Sequence, residues 1–159
     1  MSELTIRQAT HQDIPDLNRL LYQVQQVHHE ARPDLFKAGA KKYTDEELEQ
    51  LLNDPQRPIF VAVTNDQIQG YVFLESLEQQ ESHILHAVKT LYIDDLCVDK
   101  QARGQHIGSQ LYAFVIDYAK QKGYYHVTLN VWADNQKALG FYEKLGLHPQ
   151  KIGMDIILE

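Results

Sequence analysis

One stretch constrains this chain more than any other: Leu96-Cys97-Val98-Asp99-Lys100-Gln101-Ala102-Arg103-Gly104-Gln105-His106-Ile107-Gly108-Ser109. An apolar strand-like run enters a turn holding Gly104 and Gly108, and a helical pattern begins at once. The first backbone N–H groups of a helix have no partner within it. Together with the helix dipole they make an anion site. Glycine lets a phosphate come close to the backbone, and Arg103 adds charge at the rim. The segment is neither G-x-x-x-x-G-K-[ST] nor G-x-G-x-x-G. Taken alone, Gly104 also reads as an ordinary turn glycine and Gly108 as a packing glycine.

The flanking sequence alternates between strand and helix patterns. Residues 3–8 read as a strand. Thr10 stands at an N-cap position, with Asp13 three residues on and Pro15 at the helix start. Leu17, Leu20, Leu21 and Val24 follow as one apolar stripe, until Arg32-Pro33-Asp34 breaks the helix. Thr44 and Glu47 have capping-box spacing ahead of Leu48, Leu51 and Leu52. Pro55 and Pro58 end that second helix. Residues 59–64 and 69–77 read as a hairpin turned at 65–67, and 78–87 as an exposed polar turn. Residues 90–98 predict a strand and 106–122 a helix stopped by Gly123. Residues 126–131 predict a strand with Val127, Leu129 and Val131 on one face. Asn135 caps a short helix to Lys144 that closes at Gly146. Residues 151–158 predict a last strand with Met154, Ile156 and Leu158 on one face. The order implies one α/β domain over 1–159, a mixed, mostly antiparallel sheet flanked by helices.

Composition narrows the function. The 159 residues carry 15 Lys and Arg against 22 Asp and Glu, a net charge of −7. That balance opposes a nucleic-acid binder or a polybasic membrane anchor and suits a cationic substrate. The single cysteine, Cys97, allows no internal disulfide and points to a reducing compartment. The opening residues lack the apolar core of a secretory signal, and no run reaches the roughly 20 apolar residues of a membrane span. A cytoplasmic location is the expectation. The eight histidines are scattered, and His28-His29-Glu30 lacks H-E-x-x-H spacing, so no metal site is expected.

Val98-Asp99 followed by Arg103-Gly104-Gln105-His106-Ile107-Gly108 resembles motif A of the GCN5-related N-acetyltransferases, with His106 where the central glycine usually stands. Downstream, Asn135, Ala138, Phe141-Tyr142 and Leu145-Gly146-Leu147 resemble the family's second signature, at family-like separation. The resemblance covers nearly the whole chain and implies the GNAT fold and acetyl-CoA as cosubstrate. It implies that the backbone of Leu96, Cys97 and Val98 holds the pantetheine arm and the acetyl carbonyl. The turn Arg103, Gly104, Gln105, His106, Ile107, Gly108 and Ser109 would hold the pyrophosphate, provided His106 has an ordinary φ. Asn135 would contact the cofactor, cap the last helix, or do both, and Asn130 is a weaker candidate.

Acetyl transfer to an amine needs the amine neutral, although a free alkyl amine titrates near ~10.4, so the site must take its proton. The departing thiolate needs a proton donor. By resemblance Tyr142 is the general acid, with a buried stripe of Phe141, Tyr142 and Leu145 as the alternative. Tyr92-Ile93-Asp94-Asp95 resembles the diamine and polyamine acetyltransferases and makes Asp94 the candidate for the amine side. Adjacent strand residues face opposite ways, so at most one of Asp94 and Asp95 is expected in a given cleft. Cys97 is not expected to be a nucleophile, because no basic partner is evident and direct attack needs no acyl-enzyme. His28, Arg32 and Phe36 fall where family members often line the acceptor pocket. The expected acceptor is a small cationic amine or polyamine. A peptide or protein amine, an antibiotic amine and a non-catalytic coenzyme A-binding module are the rivals, and a homodimer is expected as one possible assembly.

Overall fold

In the computed structural model, residues 3–158 are described. β1 (Thr5–Gln8) leads through a 3-10 turn at His11–Asp13 into α1 (Ile14–Ala31). The Asp13 carboxylate fixes this corner by accepting from the Thr10 N–H at 2.8 Å and pairing with the Arg7 guanidinium at 2.8 Å. α2 (Asp45–Leu52) starts on a true capping box: Glu47 N–H donates to Thr44 Oγ1 at 3.1 Å, and Thr44 N–H donates to Glu47 Oε1 at 2.9 Å. β2 (Ile59–Thr64) and β3 (Gln67–Gln79) form the hairpin, turned by Asn65 and Asp66 at positive φ. β4 (Val88–Val98), α3 (Ile107–Gln121), β5 (His126–Thr128) and α4 (Gln136–Lys144) follow.

The sheet runs β1-β2-β3-β4-β5. Its first four strands are antiparallel and β5 lies parallel to β4. α1 and α2 cover one face, where Leu17, Leu20, Leu21 and Leu48 pack on Val61, Tyr71, Phe73 and Cys97. α3 covers the other, with Ile107, Leu111, Val115 and Ala119 on Ala62, Val72, Leu74, Leu91 and Ile93.

Three sequence expectations change. In β4 the register steps from Ile93 opposite Leu74 to Asp95 opposite Phe73, so Asp94 is the extra residue of a β-bulge. Before the bulge, Leu91 and Ile93 join the α3-side core; after it, Asp95 pairs with Phe73 and Cys97 joins the α1-side core. Counting from either end, Asp94 and Asp95 therefore fall on the same face, not on opposite ones. β5 stops at Thr128 rather than continuing to 131. Among the described residues no strand pairs with 151–158, and Ile152, Met154, Ile156 and Leu158 are all exposed. A strand pattern needs a neighbouring backbone to satisfy its N–H and C=O groups, and no described strand pairs with this segment.

Candidate active site

The sheet opens where two of its strands part. Parallel pairing of β4 with β5 ends at Tyr92 opposite Thr128. Beyond that point β4 continues to Val98, paired among the described strands with β3 alone. The edge of Ile93–Val98 turned away from β3 therefore faces a cleft with its backbone groups free of sheet pairing. Val24, Val27 and His28 of α1 close the cleft from one side. Leu129–Trp132, Asn135, Ala138 and Tyr142 close it from the other, around a cavity of about 110 Å³. A separate hollow of about 180 Å³ under α2, between Glu47 and Arg57, holds none of the candidate catalytic residues.

The bulge delivers both acids to the cleft wall, in different states. Asp94 is fully engaged: Lys42 Nζ donates to one oxygen at 2.8 Å and the Tyr43 hydroxyl to the other at 2.6 Å. Asp95 accepts from the Tyr71 hydroxyl at 2.6 Å. Burial pushes Asp95 up from 3.8 to about 6, against the Tyr71 hydrogen bond and the Lys42 charge, which both pull it down. Tyr71 has no exposed surface, its ring meets Phe73 edge-on, and Phe73 stacks on Tyr43. A packed aromatic set thus fixes both hydroxyl donors.

Across the cleft, α4 carries Tyr142. Burial and then the charge of nearby Asp95 drive its hydroxyl well above the usual tyrosine range, so it stays protonated. Asn135 begins the helix, its Oδ1 accepting from Ala138 N–H at 3.1 Å; the capping role is present and the side chain also lines the cavity. Phe141 packs on α3. A Cβ at Gly108 would stand 3.1 Å from the Phe141 ring and 3.6 Å from Val98, so Gly108 makes room for that helix contact.

The turn behaves as its glycines suggest. Gly104 has φ +86° and open space around it. His106, however, has φ 61° and ψ 25°, so the histidine occupies the left-handed region instead of an ordinary conformation. Histidine is among the residues that tolerate this region, which explains how the position does without glycine. No side chain caps α3. The N–H groups of Ile107, Gly108 and Ser109 form its first turn and lack intrahelical partners. Arg103, Gly104, Gln105 and His106 are exposed beside them. An uncapped helix start, an exposed turn with a cation, and the unpaired β4 edge fit a long phosphate-bearing arm lying along Leu96, Cys97 and Val98 toward Tyr142.

Cys97 turns away from the cleft into the α1-side core. Its thiol points at the Leu20 carbonyl at 3.7 Å, and burial drives its pKa up. That removes the thiolate a nucleophile requires. His28, Arg32 and Phe36 do come together at the rim. His28 stacks on Phe36 at 5.0 Å, Phe36 meets Trp132 edge-on at 5.5 Å, and Arg32 lies 5.7 Å from the Trp132 ring centre. Burial, then Lys42, holds His28 below its usual range, and its buried Nδ1 has no hydrogen-bond partner among the described residues. Asn130 donates to the Tyr92 hydroxyl at 3.2 Å, a strut between the parting strands. No cluster of metal-ligating side chains occurs among the described residues, and no described helix is long and apolar enough to cross a membrane. Sequence patterns missed Lys42, Tyr43, Tyr71 and Trp132. Their roles depend on contacts between distant segments, and only the bulge register brings Tyr71 to Asp95.

The profile of the acetyltransferase (GNAT) family matches residues 24–147. The chain belongs to that family. It is 26% identical over 153 residues to an uncharacterised N-acetyltransferase of Methanocaldococcus jannaschii, spanning 93% of this chain and 62% of that one. It is 35% identical over 89 residues to N-alpha-acetyltransferase 30 of Schizosaccharomyces pombe, 55% of each chain. The chain thus spans about three fifths of the length of these curated relatives. The crystal structure of a mutant BH1408 protein from Bacillus halodurans superposes with a TM-score of 0.93 at 29% identity, covering 98% of this chain and 99% of that one.

Proposed function

We propose that this GNAT chain is an acetyl-CoA-dependent N-acetyltransferase acting on an amine by direct attack. The observation that carries the reading is the convergence of Asp95 and Tyr142 on one cleft, beside a strand edge free to hold an extended arm. Acetyl-CoA would supply the activated acyl group. The unpaired backbone of Leu96–Val98 would hold its arm, and the first turn of α3 with Arg103 its phosphates.

Asp95 is the better proton acceptor of the acidic pair. Asp94 already has both oxygens engaged, whereas Asp95 has one hydroxyl partner and a pKa of about 6. Above that pH its carboxylate is charged and takes the amine proton, directly or through water. Tyr142 stays protonated and donates to the departing sulphur. Asp94 positions the loop that carries Lys42 and Tyr43. Its charge is met by Lys42, so selection for a cationic amine falls to Asp95 and the aromatic rim of Phe36 and Trp132. A small cationic amine or polyamine is the favoured acceptor. A peptide α-amine is the second reading, favoured by the similarity to the Schizosaccharomyces N-alpha-acetyltransferase.

The test is release of free coenzyme A thiol from acetyl-CoA with polyamines, amino acids, aminoglycosides and short peptides. Amine-dependent release above the no-enzyme rate supports a transferase, and the best acceptor separates the two readings. Tyr142→Phe should lower kcat by about 10²-fold or more while coenzyme A binding persists. Absence of both release and coenzyme A binding would overturn the proposal.

A further inference from the structure

A primary amine of the chain itself stands at the acid-lined wall of the cleft. Lys42 lies on the irregular segment between α1 and α2, and its Nζ donates to Asp94 at 2.8 Å. Asp94 lines the cavity, with Asp95 and Leu96 next along β4 and His28 on the same cavity. The ammonium charge is felt there too. It pulls Asp95 down, and it adds to the burial that holds His28 low. An alkyl ammonium beside a pair of carboxylates is the chemistry expected of a bound cationic acceptor, and here a lysine of the fold supplies it.

The amine can also reach and move. Asp94 precedes Leu96 by two strand residues, a span of about 7 Å at most at ~3.3 Å per residue. The long, flexible stem of a lysine covers that distance. The Lys42 side chain is 45% exposed, and an ion pair so open to water on one side is weakly held. Its sequence neighbour differs. Lys41 Nζ donates to Asn18 at 2.6 Å and to Asp45 at 2.6 Å, which pins it at the start of α2. Lys89 donates to the Lys122 carbonyl and lies over the Tyr124 ring, at neither of which the cleft is found.

We propose that Lys42 is a self-acetylation site: with acetyl-CoA bound and no acceptor in the cleft, the chain transfers the acetyl group to its own Lys42 Nζ. The step rests on the acetyltransferase reading and names a substrate that the chain carries itself. The ammonium yields one proton to the carboxylates beside it, and the neutral nitrogen attacks the thioester carbon. The C–N bond forms and the C–S bond breaks. The electron pair leaves on sulphur, which takes the Tyr142 proton. The second nitrogen proton passes by way of the carboxylates and water to restore Tyr142. The products are an amide, the free coenzyme A thiol and one proton released. The amide carries no charge, so Asp94 loses its ion-pair partner and the acid-lined wall becomes more negative.

The experiment incubates the full chain with acetyl-CoA and no added amine, and reads acetylation at each lysine by peptide mass spectrometry. Lys42 should be labelled about 10-fold faster than Lys41 or more, at a first-order rate independent of chain concentration. Excess free coenzyme A should suppress the label at Lys42 and leave the slow background at Lys41 unchanged. Tyr142→Phe, with wild-type far-UV circular dichroism, should lower Lys42 labelling toward that background. Lys42→Arg should lose the single equivalent of thiol that wild type releases without an amine. Equal labelling of Lys41 and Lys42, or a Lys42 label that coenzyme A does not suppress, would overturn the proposal as chemical acetylation of an exposed amine. A rate that rises with chain concentration would overturn transfer within one chain. An unlabelled Lys42 would overturn it as well, and the amine panel then separates the causes. Amine-dependent thiol release would leave a working transferase that spares its own lysine, whereas absence of release and of coenzyme A binding would remove the acetyltransferase reading too.

Discussion

The two walls of the cleft are built differently. The β4 wall is continuous with a buried sheet. Its acids are held by hydroxyls of Tyr71 and Tyr43 that are locked by ring packing, and α3 beside it buries Ile107, Leu111, Val115 and Ala119. The opposite wall rests on a three-residue strand and on α4, none of whose residues is fully buried. The difference divides the work. The first wall sets a pKa and a backbone edge, which demand fixed geometry. The second carries Tyr142 and the rim that the proposed reaction would use for substrate entry, and elements with few buried contacts open at low cost.

The sharpest way to break this contrast is at Asp95. Asp95→Asn keeps an acceptor for Tyr71 but cannot take a proton. The turnover rate should fall about 10²–10⁴-fold, and the wild-type rise in activity through about pH 6 should vanish from the kcat profile. The same variant tests linkage. Asp95 is raised from 3.8 to about 6, so the folded state holds its proton more tightly than the unfolded chain. Native stability should therefore decline as pH rises through that window. Asp95→Asn should remove that decline, read as a melting temperature at pH 7 no lower than wild type's. A variant melting well below wild type would mean that the charged carboxylate is structural.

Next in size is a pair of truncations. Leu111 on α3 has no exposed surface, so Leu111→Ala should cost about 2–5 kcal/mol in chemical denaturation. Leu139 on α4 is only partly buried, and Leu139→Ala should cost less than about 1.5 kcal/mol. Equal costs would erase the distinction between the walls. The smallest effect belongs to the turn. His106→Gly relieves a left-handed histidine and should stabilise the chain by about 0.5–1 kcal/mol, although glycine's entropy in the unfolded chain offsets part of that. A loss of stability would mean that the imidazole makes a contact worth more than the strain.

Local order was largely legible from residues. The Thr44–Glu47 box, the Leu17-Leu20-Leu21 stripe and the strand–turn–helix at 96–109 depend on neighbours within a few positions, and each formed as its pattern required. Tyr142, Leu96 and Asn135, far apart in sequence, line one cleft. Other features were not legible. Alternation put Asp94 and Asp95 on opposite faces, but a bulge is a two-strand property set by how Phe73 and Leu74 register against β4. Segment 151–158 carried a strand's alternation, yet no described strand pairs with it.

Sequence by itself determined the helices, the capping and most strands, and the chemical types at 94–109 and 135–147, because periodicity and capping act over short spans. Tertiary structure decided which groups titrate near neutrality and which are spent. Asp95 is the proton acceptor proposed here because burial and Tyr71 surround it, and Asp94 is occupied because Lys42 and Tyr43 reach it from 52 and 51 residues away. Charge state depends on desolvation and on partners brought from afar, and no local pattern encodes either.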